Sequence, residues 1–415
     1  MSLRVGILSL GCPRNLVDSE TILSRLAAKG LEIVDIDKAD IAIVNTCAFV
    51  DDAKRESIDV ILDLIQAKKE GSLKKIIVSG CLSQRYKEEL VKELPEVDAF
   101  MGRLVLDGIS ARFAITPKHF AYLKICEGCV NACSYCVIPK IKGKFTSLDE
   151  ASIIRKVAEF DKGQIAELNI IGQDITGYGV DLCGRPSLSA LLRKIVKSAK
   201  HIHWIRLLYL YPNRVDDDLL KVIRDEPKIC KYIDLPVQHI NERILKLMNR
   251  GTTRKEIVAL INKIRKTIPN VALRTSLITG FPTETEKEHQ ELLDFMKEVK
   301  FERLGAFVYS REEGTKAYAL KGQVGEKTKQ ERFKQIMLLQ QDISREVNKK
   351  FIGRTMEVLI DEKEEKTYLA RTQYDAPEVD GQVYLNSKKN LKPGDFIKVK
   401  ITDTLEYDLV GEVKS

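Results

Sequence analysis

Apolar positions along the first hundred residues alternate between two periods. Arg4 to Leu10 (RVGILSL) is a near-continuous apolar run of strand length. Asn15 to Lys29 instead repeats apolar residues at intervals of three and four, the spacing of a helix face, with Gly30 as its stop. The pair recurs twice: a strand at Ile41 to Asn45 precedes a helix at about Asp51 to Lys69, and a strand at Lys75 to Ser79 precedes a helix at Arg85 to Leu94. This alternation predicts a small open parallel sheet, flavodoxin-like in class, over residues 1–105.

A short connection with Gly108, Thr116 and Pro117 leads to a second unit, residues 119–349. Its pattern places strands at Glu167–Ile171, Ile205–Leu210, Tyr232–Leu235, Val271–Ile278 and Gly305–Tyr309. Helices fall at Asp149–Phe160, Ser187–Ala199, Asp216–Asp225 and Thr253–Lys266. So long a run of strand–helix units suggests a barrel, whose active-site residues belong at the carboxyl ends of strands. Glu326 to Lys350 reads as a charged helix bridging to the last unit over the surface. Residues 351–415 change character, with about five short β-rich runs broken by Asp-Gly and Pro-Gly turns, which suggests a small OB-like β-barrel.

The 415 residues suffice for three such cores, and every apolar run is strand-length, too short to cross a membrane. The N-terminus runs straight into a strand pattern without a leader, so the expected compartment is the cytoplasm, where thiols stay reduced. A net charge of +8 fits an acidic partner or a solvated surface equally well.

Cysteine placement adds the chemistry. Cys126, Cys129, Cys133 and Cys136 fall within eleven residues, KICEGCVNACSYCVIPKIKGK. The triplet Cys129-x-x-x-Cys133-x-x-Cys136 can hold three corners of a cubic [4Fe–4S] cluster and leave the fourth iron open for a ligand. Zinc knuckles need a longer gap than Val130, Asn131 and Ala132 provide, and a disulfide scaffold is out of place in a long chain without a leader. Cys126 reads as a small buried residue beside the triplet. Cys183, Cys230 and His239 have no partner at ligand spacing and read as structural. Three further cysteines, Cys12, Cys47 and Cys81, each end a predicted strand, where ligands gather in open α/β sheets. The competing reading is three ordinary buried thiols.

At the Cys129 triplet, with an aromatic (Tyr135) before its last cysteine, the chain resembles the radical S-adenosylmethionine (SAM) superfamily. With GCPRNLVDSE, NTCAFVDDAKRESID and SGCLSQRY placed before such a core, it resembles the methylthiotransferases within it. The resemblance implies a partial (β/α)6 barrel, a C-terminal TRAM module, and two [4Fe–4S] clusters, one on Cys129, Cys133 and Cys136 and an auxiliary one on Cys12, Cys47 and Cys81. It further implies SAM contacts at Tyr135, Gln173, Asp174, Arg274 and Ser276, and close backbone approach to the adenosine at Gly280. Reductive cleavage of SAM to a 5′-deoxyadenosyl radical is the implied chemistry, with an electron donor such as flavodoxin or ferredoxin. GCPRNLVDSE, YSREEGT and DAPEVDG resemble the type that methylthiolates the β-carbon of an aspartate in small-subunit ribosomal protein S-twelve; the alternative is a tRNA methylthiotransferase acting on a modified adenosine. Cys126, Lys142-Gly143 and Ser147-Leu148 depart from the family pattern. Residues 351–415 hold 10 Lys+Arg and 13 Asp+Glu, a charge of −3 that includes Asp361, Glu362, Glu364, Glu365, Asp375, Glu378 and Asp380. An acidic unit suits a basic protein substrate better than tRNA.

Overall fold

The computed structural model describes residues 3–104, 113–365 and 367–413; Gly108 and the chain ends lie outside the described residues. The first unit runs β1 (Arg4–Ser9), α1 (Pro13–Ala28), β2 (Glu32–Ile33), β3 (Ile41–Thr46), α2 (Asp51–Lys69), β4 (Lys75–Gly80), α3 (Cys81–Glu93) and β5 (Ala99–Phe100). Its parallel sheet has the order β2-β1-β3-β4-β5, the flavodoxin order. Two starts differ from the sequence reading. Helix α1 begins at Pro13, whose fixed φ suits a first helical position. Helix α3 begins four residues before Arg85, at Cys81, because Gly80 takes φ +95° and turns strand directly into helix.

The second unit runs β6 (Phe120–Lys124), a hairpin of β7 (Cys126–Glu127) and β8 (Thr146–Ser147) enclosing α4 (Ile138–Lys142), then α5 (Glu150–Lys162), β9 (Glu167–Ile171), α6 (Val180–Cys183), α7 (Leu188–Ser198), β10 (Trp204–Leu207), α8 (Asp217–Asp225), β11 (Tyr232–Asp234), α9 (Glu242–Leu247), α10 (Arg254–Thr267), β12 (Ala272–Thr279), α11 (Glu286–Val299), β13 (Arg303–Val308) and α12 (Glu326–Asn348). Two parallel sheets, β6-β9-β10 and β11-β12-β13, meet through a parallel bridge between Ile205 and Ile229, which makes a partial six-stranded barrel. Outward residues such as Leu123, Ile170, Leu207, Ile233 and Leu273 share one buried apolar core with the helices. Helix α12 is part of this core rather than a surface bridge: Ile336 and Ile343 are buried in it, and Gln340 donates to the Phe301 carbonyl at 3.0 Å.

The third unit is a closed barrel, β14 (Thr355–Glu364), β15 (Thr367–Thr372), β16 (Val383–Asn386), β17 (Phe396–Thr404) and β18 (Leu409–Val413), in the order β14-β15-β16-β18-β17. It plugs the end of the central barrel where the strands begin. Arg206 is paired to Glu167, both fully buried, and Arg371 of the small barrel reaches the same Glu167 at 2.7 Å. Arg303 meets Asp375 at 2.7 Å, and Tyr232 donates to Asp380 at 2.6 Å. This corrects the charge reading of the sequence. Asp361, Asp375 and Asp380 do not form an acidic outer face; they neutralise buried arginines at a domain joint, where an unpaired charge would be costly.

Candidate functional site

Strands β1, β3 and β4 are adjacent and parallel, so Cys12, Cys47 and Cys81 arrive at one edge of the sheet. The approach is tight. A Cβ at Gly11 would sit 2.7 Å from the Cys47 Cβ and 2.9 Å from its Sγ, at φ +87°, so this turn requires glycine. Asn15 holds the edge together. Its amide donates to the Leu10 and Thr46 carbonyls at 3.0 and 2.9 Å, its own carbonyl accepts from Asn45 at 2.8 Å, and the Cys81 thiol lies 3.7 Å from its Oδ1.

Burial pushes the Cys47 thiol up and Cys81 up to about 12. Burial alone would raise Cys12 too. The Arg14 guanidinium and the backbone N–H groups of Asn15 and Arg14 outweigh it, and the thiol falls below its usual range.

Cys129, Cys133 and Cys136 lie on the loop between β7 and α4. Asn131 donates to the Cys129 Sγ from both its backbone and its side chain, at 3.4 Å each. Arg250 donates to the Cys133 Sγ at 3.5 Å and stacks over Tyr211 at 4.3 Å. The turn after α9 carries the loop, with Ser134 N–H donating to the Met248 carbonyl and the Asn249 amide to the Ala132 carbonyl. Burial raises the Cys129 thiol and takes Cys136 up to about 12. Among the described residues no three His, Cys, Asp or Glu side chains close around a single metal ion. Each thiolate of a cubic cluster binds a different iron, so neither triplet needs to converge on one point.

The residues expected near SAM divide. Tyr135 is packed beside the loop against Met248 and Phe281, and burial pushes its phenol well up. Gln173 sits at the carboxyl end of β9 with both polar atoms of its amide buried and without a hydrogen-bond partner, the condition of a group awaiting a ligand. Ser276 lies on β12 opposite Gly305 of β13. Asp174 instead is saturated: it accepts from Thr176, from Asn131 at 2.8 Å and from Arg214 at 2.7 Å, and so orients the cysteine loop. Arg274 is one layer deeper than Ser276 and is held by Asp234 at 3.0 Å and Asp380 at 3.3 Å, in the joint with the small barrel. A Cβ at Gly280 would meet the Lys329 stem at 2.4 Å, so the close approach there is to α12.

Cys126 is fully buried, with its Sγ 3.6 Å from the Asp174 carbonyl and 2.5 Å from where a Cβ of Gly172 would lie. Cys230 is buried in the inner core of the barrel and Cys183 is exposed. The His239 ring is buried and accepts from the Asn241 N–H, and burial takes it down to about 3. Lys142 and Lys124 both pair with Asp18 of α1 and with Glu127, all four buried, so the Lys142 departure concerns domain docking. Arg14, Asn131, Arg214 and Arg250 escaped the sequence reading; closeness to a cysteine or a proline turn was the signal for the first three, and Arg250 carried none.

Three family descriptions match the chain: "Uncharacterized protein family UPF0004" over residues 4–102, "Radical SAM superfamily" over 123–296 and "TRAM domain" over 352–413. Proteins named "Ribosomal protein uS12 methylthiotransferase RimO" are similar over nearly full length. That of Caldanaerobacter subterraneus subsp. tengcongensis is 48% identical, over 98% of this chain and 99% of its own. That of Geobacter sulfurreducens is 45% identical, over 99% of each. Among solved structures, the radical SAM methyltransferase TsrM from Kitasatospora setae superposes with TM-score 0.56 at 14% identity, over 74% of this chain and 75% of its own, a likeness of fold. No helix among the described residues is long and apolar enough to cross a membrane.

Proposed function

Because the chain belongs to the family of the ribosomal protein uS12 methylthiotransferases, we propose that it adds a methylthio group to the β-carbon of an aspartate of ribosomal protein S-twelve. It is a radical SAM enzyme that uses SAM and two [4Fe–4S] clusters. The thiols of Cys129, Cys133 and Cys136 would hold one cluster and leave an iron open for SAM, and those of Cys12, Cys47 and Cys81 would hold the other. When bound, these groups supply the one-electron chemistry that opens an unactivated C–H bond and the sulfur that is methylated and transferred.

The observation that carries this reading is the placement of two thiol triplets on the facing ends of two parallel-stranded units, joined by Arg14. Around them the protein holds, orients and seals. Asn131, Arg214 and Asp174 fix the cysteine loop. The vacant hydrogen-bonding capacity of Gln173, close to that loop in the fold, suits the amino and carboxylate groups of SAM. The small barrel closes the far end of the lumen, which keeps water and stray hydrogen donors from entering beneath the site.

The choice of S-twelve rests on the full-length relatives, since three acids of the C-terminal unit are internal. A flavodoxin or ferredoxin would supply electrons, in the reducing setting of the cytoplasm. Mass spectrometry of S-twelve and of tRNA from a strain lacking the gene tests the substrate. Loss of the methylthio group from the S-twelve aspartate is expected. A fully modified S-twelve beside tRNA that lacks its methylthio adenosine would make the enzyme a tRNA methylthiotransferase instead.

A further inference from the structure

Arg14 belongs to neither thiol triplet, yet its half-buried guanidinium lies where they face each other. Its Nε donates to the Cys12 Sγ at 3.4 Å and an Nη to the Gly172 carbonyl at 2.9 Å. Its plane lies 4.5 Å over the Tyr209 ring, and its charge bears on Cys12, Cys81 and Cys136. Both anchors are rigid. At Gly172 an added Cβ would lie 2.5 Å from the Cys126 Sγ, and Tyr209, at φ +66°, has its N–H tied to Asp234 at 2.9 Å. One turn along α1, Asp18 pairs with Lys124 and Lys142, so the helix is hooked to the barrel at two successive turns.

We propose that Arg14 is a positioning residue for the transfer step: a fixed cation that locks the auxiliary cluster's edge against the Gly172–Gln173 loop of the SAM site and raises that cluster's reduction potential. This rests on the ligand assignment of the preceding subsection. The potential follows because reduction adds negative charge to the cluster, and a nearby cation partly shielded from water favours the more negative form. The positioning role needs arginine rather than lysine. Only a planar fork makes two divergent hydrogen bonds while stacking on a ring.

Full-length protein with Cys129, Cys133 and Cys136 changed to Ala, reconstituted anaerobically, would carry the auxiliary cluster alone; absence of iron from it would sink the ligand assignment and the electrostatic half of the proposal with it, while the positioning half is still read in the metal-free protein. In that background the midpoint potential is read by redox-poised electron paramagnetic resonance. Arg14→Met is expected to shift it to more negative values, and Arg14→Lys to leave it near that of the parent. With all six cysteines present, Arg14→Lys is expected to raise the ratio of 5′-deoxyadenosine released to methylthio product about tenfold, the worth of one charge-assisted hydrogen bond. In metal-free Arg14→Lys, amide hydrogen exchange over residues 171–174 is expected to quicken. An unchanged potential in iron-loaded Arg14→Met overturns the electrostatic half of the proposal. An unchanged product ratio together with unchanged exchange in Arg14→Lys overturns the positioning half, and does so even if Arg14→Met fails to take up iron.

Discussion

The two thiol triplets are built by opposite means. Cys12, Cys47 and Cys81 lie about 35 residues apart and meet because β1, β3 and β4 are neighbours in one parallel sheet. Cys129, Cys133 and Cys136 are neighbours in sequence, but their loop has no ladder of its own and takes its shape from Asn131, Arg250 and the turn after α9. A sheet edge is ordered by the folding of the whole domain, whereas a loop held by side chains opens locally at low cost. The sheet edge is therefore a fixed platform, and the cysteine loop is the part that a bound metal and ligand would complete.

The largest effect that separates them comes from the loop itself. Changing Cys129, Cys133 and Cys136 to Ala should abolish reductive SAM cleavage while leaving about four of about eight irons, on cubic-cluster chemistry; iron analysis with a 5′-deoxyadenosine assay reads both. Complete iron loss would mean that the two sites depend on each other. Next is the joint between the regions. Asp18→Ala leaves Lys124 and Lys142 buried with Glu127 as their shared acid. Denaturant unfolding of the metal-free protein should show a cost of about 3–5 kcal/mol, the usual result of breaking a buried pair.

Two asparagines sharpen the contrast further. Asn15→Ala removes a buried amide that serves two carbonyls and should cost about 2 kcal/mol of stability in the metal-free protein. Asn131→Ala should cost less than that, but quicken amide exchange across residues 129–136 and weaken SAM binding. Equal exchange behaviour in the two variants would remove the distinction between platform and loop.

The smallest effect concerns pH. The turn containing Pro236, whose carbonyl accepts from Arg250 at 2.5 Å, also contains buried His239, whose folded pKa is about 3. A depressed histidine pKa means that the unfolded chain binds the proton first. Stability is then full above about 6.5 and falls with decreasing pH by about 1.4 kcal/mol per unit until the folded pKa is reached. Unfolding at pH 7.5 and pH 5.5 should show a smaller difference in His239→Asn than in the native chain.

Much of this was written in local patterns. The strand–helix rhythm, five-strand C-terminal unit and both triplets are visible because each depends on residues close in sequence or on simple alternation. Strands β2 and β5 are two residues long, below any periodicity. The acids of the small barrel misled because charge along a chain does not reveal its partners: Asp375 and Asp380 answer Arg303 and Arg274, some 70 to 106 residues away. Arg274 and Gly280 are the right kind of residue on or just after β12, yet Arg274 lies near the start of the strand and faces the joint, and Gly280 faces Lys329. Arg14 was hidden for the same reason, since its meaning lies in Gly172, 158 residues on.

The division of labour between platform and loop is tested most directly by changing Cys12, Cys47 and Cys81 together to Ala and assaying the reconstituted, reduced protein for both products. The expected result is a folded enzyme with about four irons that releases 5′-deoxyadenosine from SAM yet attaches no methylthio group to S-twelve. A folded variant that keeps the loop cluster but no longer cleaves SAM, or one that still methylthiolates S-twelve, would contradict it.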